Sequence, residues 1–348
     1  MFEQMSHHAS SWLSAEGADS AIVLSSRVRL ARNIKGLTFP PYADSQTKEN
    51  VVHFVQSAVE KSKELENGQF LLSEGIAGID RVFLVERHLI SPEFMRDNAS
   101  CGIYISGDEK VAIMINEEDH LRIQTIDSGL TLMETLNRSM RIDDELSRTL
   151  EFDYDTDFGF LTSCPTNIGT GLRASVLIHL AGLVLTKEID SVIEHITKLG
   201  LVVRGFYGEG SDVWGNLFQV SNQTTLGRSE FDITEALDKI TKQIIESENR
   251  ARERVLEEAK NEISDKIWRA YGILKHARVL TSEEVMNLLS AVRLGVALGT
   301  IDKVSIATIN KLMLLSQPAH LQKHMGLELE ASDRDVARAE MVRGALAD

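Results

Sequence analysis

Three short segments of the sequence combine an arginine with a carboxylate, a cysteine or a glycine turn. They are residues 116–122 (Asn-Glu-Glu-Asp-His-Leu-Arg), 164–175 (Cys-Pro-Thr-Asn-Ile-Gly-Thr-Gly-Leu-Arg-Ala-Ser) and 204–210 (Arg-Gly-Phe-Tyr-Gly-Glu-Gly). Guanidinium groups bind phosphate oxygens through paired hydrogen bonds, and a carboxylate can hold a guanidinium in a fixed orientation. These residue types therefore indicate a site for a phosphate-bearing ligand, with carboxylates available to orient a guanidinium.

Two further arginines lie in residues 25–29 (Ser-Ser-Arg-Val-Arg). Alternate residues of a strand share one face, so Arg27 and Arg29 would project together while Val28 packs behind them. Taken alone, this pattern also fits a solvated strand face. The remaining arginines of the motifs are Arg122, Arg173 and Arg204. Five positive charges gathered in one place would repel one another, so a polyanion is the expected ligand.

Residues 158–185 have the pattern of a strand, a glycine-containing loop and an apolar helix. This pattern predicts that residues 170–173 lie at a helix N-terminus, where free N–H groups and the helix dipole favour an anion. The segment lacks the Gly-Lys-Ser/Thr of a Walker A loop. Arg173 would therefore supply the positive charge that a lysine supplies in that loop.

The elements that must position these residues alternate between strands and helices up to about residue 225. Strands are predicted at residues 22–30, 81–85, 110–115, 158–162, 201–203 and 217–220. Helices are predicted at residues 47–65, 129–150, 172–185 and 189–199. Strand signals stop after residue 232, and the Thr-Ser-Glu-Glu at 281–284 is typical of a helix start. The pattern predicts an α/β catalytic domain and then an all-helical domain, with the boundary between residues 235 and 250.

Composition excludes several functional classes. The chain has 348 residues and a net charge of −15, which suggests about two domains and argues against nucleic-acid binding. The acidic surface favours a cationic partner or serves solubility alone. Two cysteines, Cys101 and Cys164, provide neither a disulfide framework nor a CxxC metal site. The first 21 residues have no signal-like apolar run, and the apolar stretch at 177–185 is too short to span a membrane. We therefore expect a cytoplasmic protein.

The segments at 25–29, 116–122, 164–175 and 204–210 together resemble those of the ATP:guanido phosphotransferases, the phosphagen-kinase superfamily. The resemblance implies an α+β catalytic domain with a largely antiparallel sheet flanked by helices. We assign it to residues 21–245, after an N-terminal segment at 1–20 and before an all-helical domain at 246–348. The implied reaction transfers a phosphoryl group from ATP to a guanidinium nitrogen. Magnesium would enter on the nucleotide rather than in a protein metal site.

The resemblance also assigns roles to individual residues. Glu118 is the expected base, and Glu209 is the carboxylate that orients the guanidinium from its other side. Cys164 is a thiol that could tune the electrostatics there and need not act as a covalent nucleophile. His88 would pack on the adenine ring, although its position also fits an ordinary loop histidine. The nucleotide-binding residues carried over are Ser25, Ser26, Arg27, Val28, Arg29, His88, Arg122, Arg173, Ala174, Ser175, Val176, Leu177, Arg204, Gly205, Phe206, Tyr207 and Gly208.

The proton chemistry limits what a carboxylate can do in this reaction. A guanidinium has a pKa above about 12 and an ordinary carboxylate one of about 4. The gap of about 8 pKa units, roughly 11 kcal/mol, prevents deprotonation before attack. Proton removal must therefore accompany or follow formation of the P–N bond, and the site acts mainly by alignment and charge stabilisation. Glu117, Asp119 and His120 could instead suggest a metal cluster, but their spacing matches no standard ligand set.

Two departures from the small-molecule phosphagen kinases distinguish this sequence. Only about two dozen residues precede the Ser-x-Arg-x-Arg motif, where those enzymes carry a helical domain that helps to close the pocket. The helical C-terminal region is also foreign to them. Both features favour a more open site and resemble the bacterial protein-arginine kinases. That resemblance implies stress response and protein quality control, in which a heat-shock repressor and misfolded proteins are marked for a Clp-type ATPase and protease. A zinc-binding activator would be a further partner.

A motif near the C-terminus supports the same family. Residues 332–339 (Ser-Asp-Arg-Asp-Val-Ala-Arg-Ala) have the pattern of a capped helix start, with Arg334 and Arg338 on one face and Asp335 within reach of Arg338. By itself this is a salt-bridged solvent face. The resemblance implies an allosteric phosphoarginine site formed by Arg334, Asp335, Arg338 and Ala339, together with a homodimer or higher oligomer.

Two other functions remain open from the sequence. The chain could phosphorylate free arginine or another small guanidino compound, which an assay with free arginine would detect. It could also be a non-catalytic adaptor that binds phosphoarginine through its C-terminal motif. The presence of Glu118, Glu209 and all five arginines of the motifs argues against an inactive adaptor.

Overall fold

A computed structural model describes residues 2–96, 100–205 and 214–347. Their strands are β1 (Val23–Arg32), β2 (Gly68–Leu72), β3 (Gly102–Ser106), β4 (Val111–Ile115), β5 (Leu121–Ser128), β6 (Tyr154–Asp155), β7 (Gly159–Phe160), β8 (Leu172–His179), β9 (Leu201–Arg204) and β10 (Leu217–Asn222). Eight of them form an antiparallel sheet in the order β2-β3-β4-β5-β1-β8-β10-β9, and β6 pairs with β7. The predicted antiparallel sheet is confirmed.

The helices surround this sheet and continue beyond it. They are α1 (Phe2–Ser6), α2 (Ser45–Lys61), α3 (Gly78–Glu86), α4 (Pro92–Arg96), α5 (Leu132–Ser147), α6 (Ala181–Leu185), α7 (Ile189–Lys198), α8 (Glu230–Glu258), α9 (Lys260–His276), α10 (Ser282–Ala297), α11 (Ile306–Leu315), α12 (Pro318–Met325) and α13 (Ala331–Ala345). After β10 the regular secondary structure of the described residues is entirely helical, as predicted for the C-terminal region. Thr281 caps α10 by accepting a hydrogen bond from the Glu284 N–H, which confirms the predicted helix start.

Alternate residues of the central strands serve the two faces of the sheet. Val28 and Leu30 of β1 and Ala174 and Val176 of β8 are fully buried in a core that also includes residues of α2, α5 and α8. On the opposite face, Leu177 of β8 belongs to a second core formed largely by α9–α13. The side chains of Arg27 and Arg29, which alternate with Val28 and Leu30, therefore project from the face covered by the C-terminal helices.

Two predicted elements are wrong, both in continuous apolar runs. Residues 81–85 belong to α3 and not to a strand: buried residues recur at Asp80, Phe83 and Leu84, which is the spacing of a helix. Residues 172–185 form β8 and the short α6 instead of one helix. A strand buried on both faces carries an unbroken apolar run, which periodicity alone cannot distinguish from a buried helix. Arg173 therefore lies on a strand, and the predicted phosphate site at a helix N-terminus is wrong.

The C-terminal boundaries also differ in detail from the sequence patterns. The capped helix start at Ser332 is wrong, because α13 begins at Ala331 and its N-cap is Glu330, so that Ser332 already lies in the first turn. The 29-residue α8 continues through position 245, where the two domains were divided. Its residues Ile233, Leu237 and Ala251 all pack in the core with the sheet. Of the helices in the described part of the chain, none combines the length and apolar character needed to cross a membrane.

Candidate active site

A cavity of about 330 Å³ opens beside β1, β5 and β8 on the arginine-bearing face of the sheet. It is lined by arginines, carboxylates, a histidine and a cysteine from segments far apart in the sequence. The lining includes Arg27, Arg29, His88, Ser91, Glu93, Glu117, Glu118, Arg122, Gln124, Cys164, Thr166, Asn167, Arg173, Arg204 and Gln219. All five arginines predicted from the motifs thus converge on one pocket.

Strand pairing explains how the arginines come together. Arg29 of β1 lies directly opposite Arg173 of β8 on one side and Gln124 of β5 on the other. Side chains at directly opposed positions of antiparallel strands share a face and lie close together. On the next pair of strands, Arg204 of β9 is opposite Gln219 of β10, and the Gln219 Oε1 accepts a hydrogen bond of 2.8 Å from Arg27 Nη2. The register between strands thus places arginines of β1, β8 and β9 beside one another, so that the two arginines of β1 become part of one cluster.

The clustered charges perturb one another. Burial, followed by repulsion from Arg122 and Arg173, lowers the pKa of Arg27 to about 10. Burial and the charges of Arg27, Arg122 and Arg173 also lower the pKa of Arg29 well below its ordinary value, against the opposing effect of Glu117. The Arg27 guanidinium remains protonated at neutral pH, and the positive charge of both groups is unfavourable in the free protein. A bound polyanion would reverse that balance.

Arg122 is held by a carboxylate. Its Nη1 donates to both oxygens of Glu117, at 2.6 and 2.7 Å, and the Ser91 hydroxyl donates to Glu117 as well. Burial alone would lower the pKa of Arg122, but the charge of Glu117 and the hydrogen bonds to it raise the pKa. Burial likewise opposes ionisation of Glu117, yet Arg122 and Ser91 hold its pKa below the ordinary value. Glu117 therefore orients Arg122 and is not available as the base.

The neighbouring carboxylate has the opposite character. Burial and the charge of Asp119 raise the pKa of Glu118, while a hydrogen bond from Cys164 acts in the opposite direction. The Cys164 Sγ also lies 3.0 Å from the Thr166 Oγ1. Glu118 thus lines the pocket with a raised pKa, which makes its carboxylate a better proton acceptor than an ordinary glutamate. The predicted base and the predicted cysteine therefore line the same pocket, where Cys164 influences the pKa of Glu118.

Asp119 joins the loop of the two glutamates to the loop of the cysteine. One of its carboxylate oxygens accepts hydrogen bonds from the Ser163 N–H at 2.6 Å and from Asn33 Nδ2 at 2.7 Å. Asp119 is buried, and His120 beside it donates its backbone N–H to the Asn33 Oδ1 at 2.9 Å. Asp119 and His120 are therefore engaged in structure. Among the described residues no group of three or more histidine, cysteine, aspartate or glutamate side chains could hold a metal ion.

His88 lines the other end of the same pocket. Burial and the charges of Arg27 and Arg29 lower its pKa to about 3, so the imidazole is neutral at physiological pH. Its ring meets that of Trp12 edge to face at a centroid distance of 5.2 Å. Gln124 Nε2 donates to the backbone carbonyl of His88 at 2.6 Å. A neutral, buried ring beside a cluster of arginines is suited to pack against a nucleobase whose phosphates reach the guanidiniums.

The other predicted nucleotide-binding residues occupy several places. Ser25, Ser175 and Leu177 line a small recess that adjoins the pocket, together with Trp12 and Gln219. Ser26 is buried in a turn contact, where its hydroxyl donates to the Gly129 carbonyl. Val28, Ala174 and Val176 face the opposite core and do not reach the cavity. Gly205 is buried at the end of β9, and Phe206, Tyr207, Gly208 and Glu209 lie outside the described residues.

Several lining residues were not predicted. Ser91 and Gln219 hold Glu117 and Arg27, Gln124 fixes His88, and Trp12 packs on His88. Among the residues in these contacts that were given no role in nucleotide binding, only Glu117 is marked by the sequence, because it stands next to Glu118 in the motif. The rest depend on contacts between segments roughly 30 to 190 residues apart, and no local pattern marks them.

Comparison with known proteins identifies the superfamily and the family. Residues 50–251 match the model of the ATP:guanido phosphotransferase C-terminal catalytic domain, and residues 260–348 match that of the protein-arginine kinase McsB C-terminal domain. A protein-arginine kinase of Desulforamulus reducens is 46% identical over 344 residues, covering 98% of this chain and 96% of the relative. The chain belongs to the protein-arginine kinase family. This confirms the resemblance on which the sequence-based assignment rested.

Other relatives and solved structures agree with this family. Protein-arginine kinases of Pelotomaculum thermopropionicum and Halalkalibacterium halodurans are 44% and 45% identical, each covering 98% of the chain and 97% and 96% of the relative. The crystal structure of a lombricine kinase aligns with a TM-score of 0.61 and 25% identity, over 70% of this chain and 71% of that one. A duplicated taurocyamine kinase from Schistosoma mansoni also has a TM-score of 0.61 and 25% identity, over 76% of this chain and 38% of that one. The sheet-containing part of this chain thus has the fold of the phosphagen kinases.

The C-terminal motif of this protein-arginine kinase family member lies on α13. Arg338 is buried, and its Nε donates to the Ser316 carbonyl at 2.8 Å while Nη1 donates to the Leu280 carbonyl at 2.7 Å and to Asp335 Oδ1 at 2.5 Å. Arg334 is half-buried and donates from Nη1 to the Leu329 carbonyl at 2.8 Å. Ala339 is fully buried in the second core. Arg338 is therefore part of the fold, and Arg334 is the more exposed of the two arginines.

Proposed function

We propose that this chain transfers the γ-phosphoryl group of ATP to the guanidinium of arginine residues in proteins. The observation that carries the proposal is the convergence of five arginines, Glu118 and Cys164 on one cavity. Phosphoryl transfer needs positive charge around the migrating group and a carboxylate beside the attacking nitrogen. The names of the relatives and the match to a protein-arginine kinase C-terminal domain support a protein as the acceptor.

The reaction is an in-line displacement with a simple balance. A guanidinium nitrogen of the acceptor arginine forms a bond to the γ-phosphorus while the bond between that phosphorus and the β–γ bridging oxygen breaks, releasing ADP. The nitrogen loses one proton, which Glu118 accepts during or after P–N bond formation, because the free guanidinium is far too weak an acid to lose it earlier. Glu209 remains our prediction for the second carboxylate, opposite Glu118.

The arginines would hold the triphosphate and stabilise its charge in the transition state. Arg122, oriented by Glu117, offers a guanidinium of fixed direction. Arg29 and Arg173, opposite each other on β1 and β8, supply charge from the floor of the pocket. Bringing ATP between them replaces repulsion with ion pairing, so the cost of assembling the cluster is relieved in the bound state.

Magnesium would accompany ATP as part of the substrate. The described residues form no resident metal site, and ATP phosphates with water supply most of the ligands that this ion needs. Glu93 and Glu118 are the carboxylates of the pocket outside the Glu117–Arg122 ion pair, and they are the candidates to contact a hydrated ion. When bound, magnesium neutralises charge on the β- and γ-phosphates.

The cellular role follows from the family resemblance. We propose that the phosphorylated arginines mark proteins, including a heat-shock repressor and misfolded chains, for a Clp-type ATPase in the cytoplasm. A zinc-binding activator would stimulate the kinase, and phosphoarginine bound near Arg334, Asp335, Arg338 and Ala339 would act allosterically in a homodimer or larger oligomer. The support for the last point is that Asp335 contacts Arg338 on α13, with Arg334 one turn earlier.

The test offers the full chain γ-labelled ATP and magnesium with an arginine-rich unfolded protein, and separately with free arginine. We expect acid-labile label on the protein and none on free arginine. Glu118→Gln should reduce incorporation by about a hundredfold or more, as loss of a positioned proton acceptor does. Glu194→Gln is the matched control, because Glu194 is an exposed residue of α7 that pairs only with Lys198 among its described ion-pair contacts. Label on free arginine alone, or full activity in Glu118→Gln, would refute the proposal.

A further inference from the structure

His88 has a backbone conformation that its surroundings must maintain. Its φ angle is +60°, in the left-handed region that non-glycine residues seldom adopt. Such residues persist where several contacts determine them together, and they cluster at functional sites. Gln124 holds the His88 carbonyl, and Trp12 packs on the ring. Further support comes through the two residues that precede His88 in the chain.

Arg87 is buried in a network that joins three parts of the molecule. Its Nε and Nη2 donate to the two carboxylate oxygens of Glu109, at 2.7 and 2.6 Å. Its Nη1 donates to the backbone carbonyls of Met5 and His8 near the N-terminus, at 3.0 and 3.2 Å. The same Nη1 lies 3.2 Å from Nε2 of His320, which belongs to α12 in the helical C-terminal region. Arg87 thus fixes the end of α3 from three directions.

Glu86 makes the second connection to α12. Its carboxylate accepts hydrogen bonds from the backbone N–H groups of Ala319 and His320, at 2.8 and 2.9 Å, in the first turn of that helix. It also accepts from His320 Nδ1 at 2.7 Å. A carboxylate at a helix N-terminus satisfies N–H groups that have no partner within the helix. Glu86 of α3 therefore caps the N-terminus of α12, although the two helices are far apart in the sequence.

The hydrogen bonds define the tautomer of His320. Nδ1 faces the Glu86 carboxylate and must donate, while Nε2 faces an Arg87 N–H and must accept. This arrangement requires a neutral imidazole, and burial lowers the His320 pKa in agreement with it. The ring also lies against Phe83 of α3, with ring centroids 4.3 Å apart. His320 is thus a neutral bridge with one donor and one acceptor, each matched to a charged partner.

We propose that His320 of α12 positions His88 at the nucleotide pocket through Glu86 and Arg87. The three α3-side residues are consecutive, so fixing Glu86 and Arg87 leaves His88 little freedom at its left-handed turn. Glu86, Arg87 and His320 are positioning residues, since they act through His88 and do not line the cavity. The inference rests on the proposed function, in which His88 contacts the base of ATP and the arginines hold its phosphates.

In the proposed complex His88 contacts the base and the arginines hold the phosphates, so two ligands can test these roles separately. Inorganic tripolyphosphate carries the charges that the arginines would bind but lacks the base that His88 would contact. In the full chain, His320→Ala should weaken ATP binding about tenfold, equivalent to about 1.4 kcal/mol. Tripolyphosphate affinity should stay within about twofold of the unchanged protein, because distant sites act nearly independently. In kinetics the same variant should raise KM for ATP and leave KM for the protein acceptor unchanged.

The matched control is Lys323→Met. Lys323 of α12 pairs with Asp80 of α3, so this variant loosens the same two helices without touching Glu86, Arg87 or His320. We expect wild-type affinity for both ligands. Where His320→Ala yields little folded protein, His320→Asn keeps a donor for Glu86 and His320→Gln an acceptor for Arg87. Each of these should lose less ATP affinity than the alanine variant.

Arg27→Met separates failure of this inference from failure of the proposed function. It should weaken ATP and tripolyphosphate alike, because Arg27 faces the phosphates in the proposed complex. Unchanged binding of both ligands by Arg27→Met would refute the nucleotide site itself. Loss of both ligands in Arg27→Met, together with wild-type ATP affinity in His320→Ala, would overturn only the role of His320. Equal losses of ATP and tripolyphosphate in His320→Ala would also overturn it, since a general structural defect has no preference for the base.

Discussion

Two regions of this molecule, the pocket and α13, contain arginines that the sequence marks as phosphate ligands. The surroundings of these arginines differ between the two regions. In the pocket, burial and the neighbouring positive charges lower the pKa values of Arg27 and Arg29. On α13, Arg338 is 1% exposed and donates to two backbone carbonyls and to Asp335. At Arg27 and Arg29 the first region gathers positive charges whose mutual repulsion is unfavourable in the free protein. The second directs its guanidinium at acceptors within the fold.

The difference separates a ligand site from a structural support built from the same residue type. A guanidinium whose N–H groups already donate to carbonyl and carboxylate acceptors has fewer N–H groups left to offer a phosphate. Guanidiniums that repel each other gain from any anion that enters between them. We infer that the pocket is prepared for a phosphate in the free protein. In the α13 motif, Arg338 is largely engaged with acceptors of the fold, and Arg334 is the more accessible cation.

The largest expected effect tests the pocket half of this comparison. Arg29→Met should reduce kcat/KM about a thousandfold, the range seen when a charge that stabilises a transferring phosphoryl group is lost. The melting temperature of the ligand-free protein should stay the same or rise, because a buried charge repelled by Arg27, Arg122 and Arg173 has been removed. Kinetics and thermal unfolding without nucleotide provide both measurements.

Arg269→Met is the control for this experiment. Arg269 is exposed on α9 and pairs with Asp265, so its loss should alter neither activity nor the melting temperature appreciably. A marked fall in the melting temperature of Arg29→Met with normal kcat/KM would reverse our reading of the pocket. It would mean that Arg29 supports the fold as Arg338 does.

The second prediction tests the α13 half. Arg338→Met leaves the Ser316 and Leu280 carbonyls and Asp335 without their donor, and should lower the free energy of unfolding by about 3 kcal/mol. Arg334→Met removes one hydrogen bond to the Leu329 carbonyl and should lower it by less than about 1 kcal/mol. Denaturant titration of both variants measures the difference. Equal losses in the two would show that burial does not distinguish these arginines.

The local sequence pattern was sufficient to predict the structure where polar and apolar residues alternate. Arg27 and Arg29 alternate with Val28 on β1, and the period of two assigned them correctly to one face. The pattern failed on β8, where residues of both faces are buried and the apolar run suits a helix equally well. Arg173 therefore reached the predicted pocket from a strand, although the sequence placed it at a helix N-terminus.

Contacts between distant segments lay beyond the sequence for a physical reason. Gln124 and Gln219 enter the pocket because β5 and β10 take particular positions and registers in the sheet. Both registers result from packing across the whole fold, and no residue near either glutamine encodes them. The network of Glu86, Arg87 and His320 joins residues more than 200 positions apart. In the sequence its members look like ordinary polar residues, because only the packing of α3 against α12 brings them together.

The smallest expected effect concerns two carboxylates of the pocket. They show the same contrast between a group engaged within the fold and a group available to a ligand. Glu117 is engaged with Arg122, and its pKa is lowered despite burial, whereas burial and Asp119 raise the pKa of Glu118. A base acts in its ionised form, so kcat/KM should rise with pH through the pKa of Glu118. The hydrogen bond from Cys164 lowers that pKa, and Cys164→Ala removes it. The acidic limb of the kcat/KM profile should therefore move to higher pH in this variant.

Cys164→Ser sharpens this last test, because its hydroxyl can still donate to Glu118 and should keep the acidic limb nearer to its original position. Both variants are compared by measuring kcat/KM for the protein acceptor across the acidic range at saturating ATP. A limb that stays in place in Cys164→Ala would mean that Glu118 is not the titrating group. Equal shifts in the alanine and serine variants would assign the effect to the sulfur itself. We expect the limb to shift more in the alanine variant than in the serine variant. That order requires a hydrogen bond from residue 164 that favours the ionised carboxylate of Glu118. It would identify Glu118, and not the engaged Glu117, as the carboxylate that titrates.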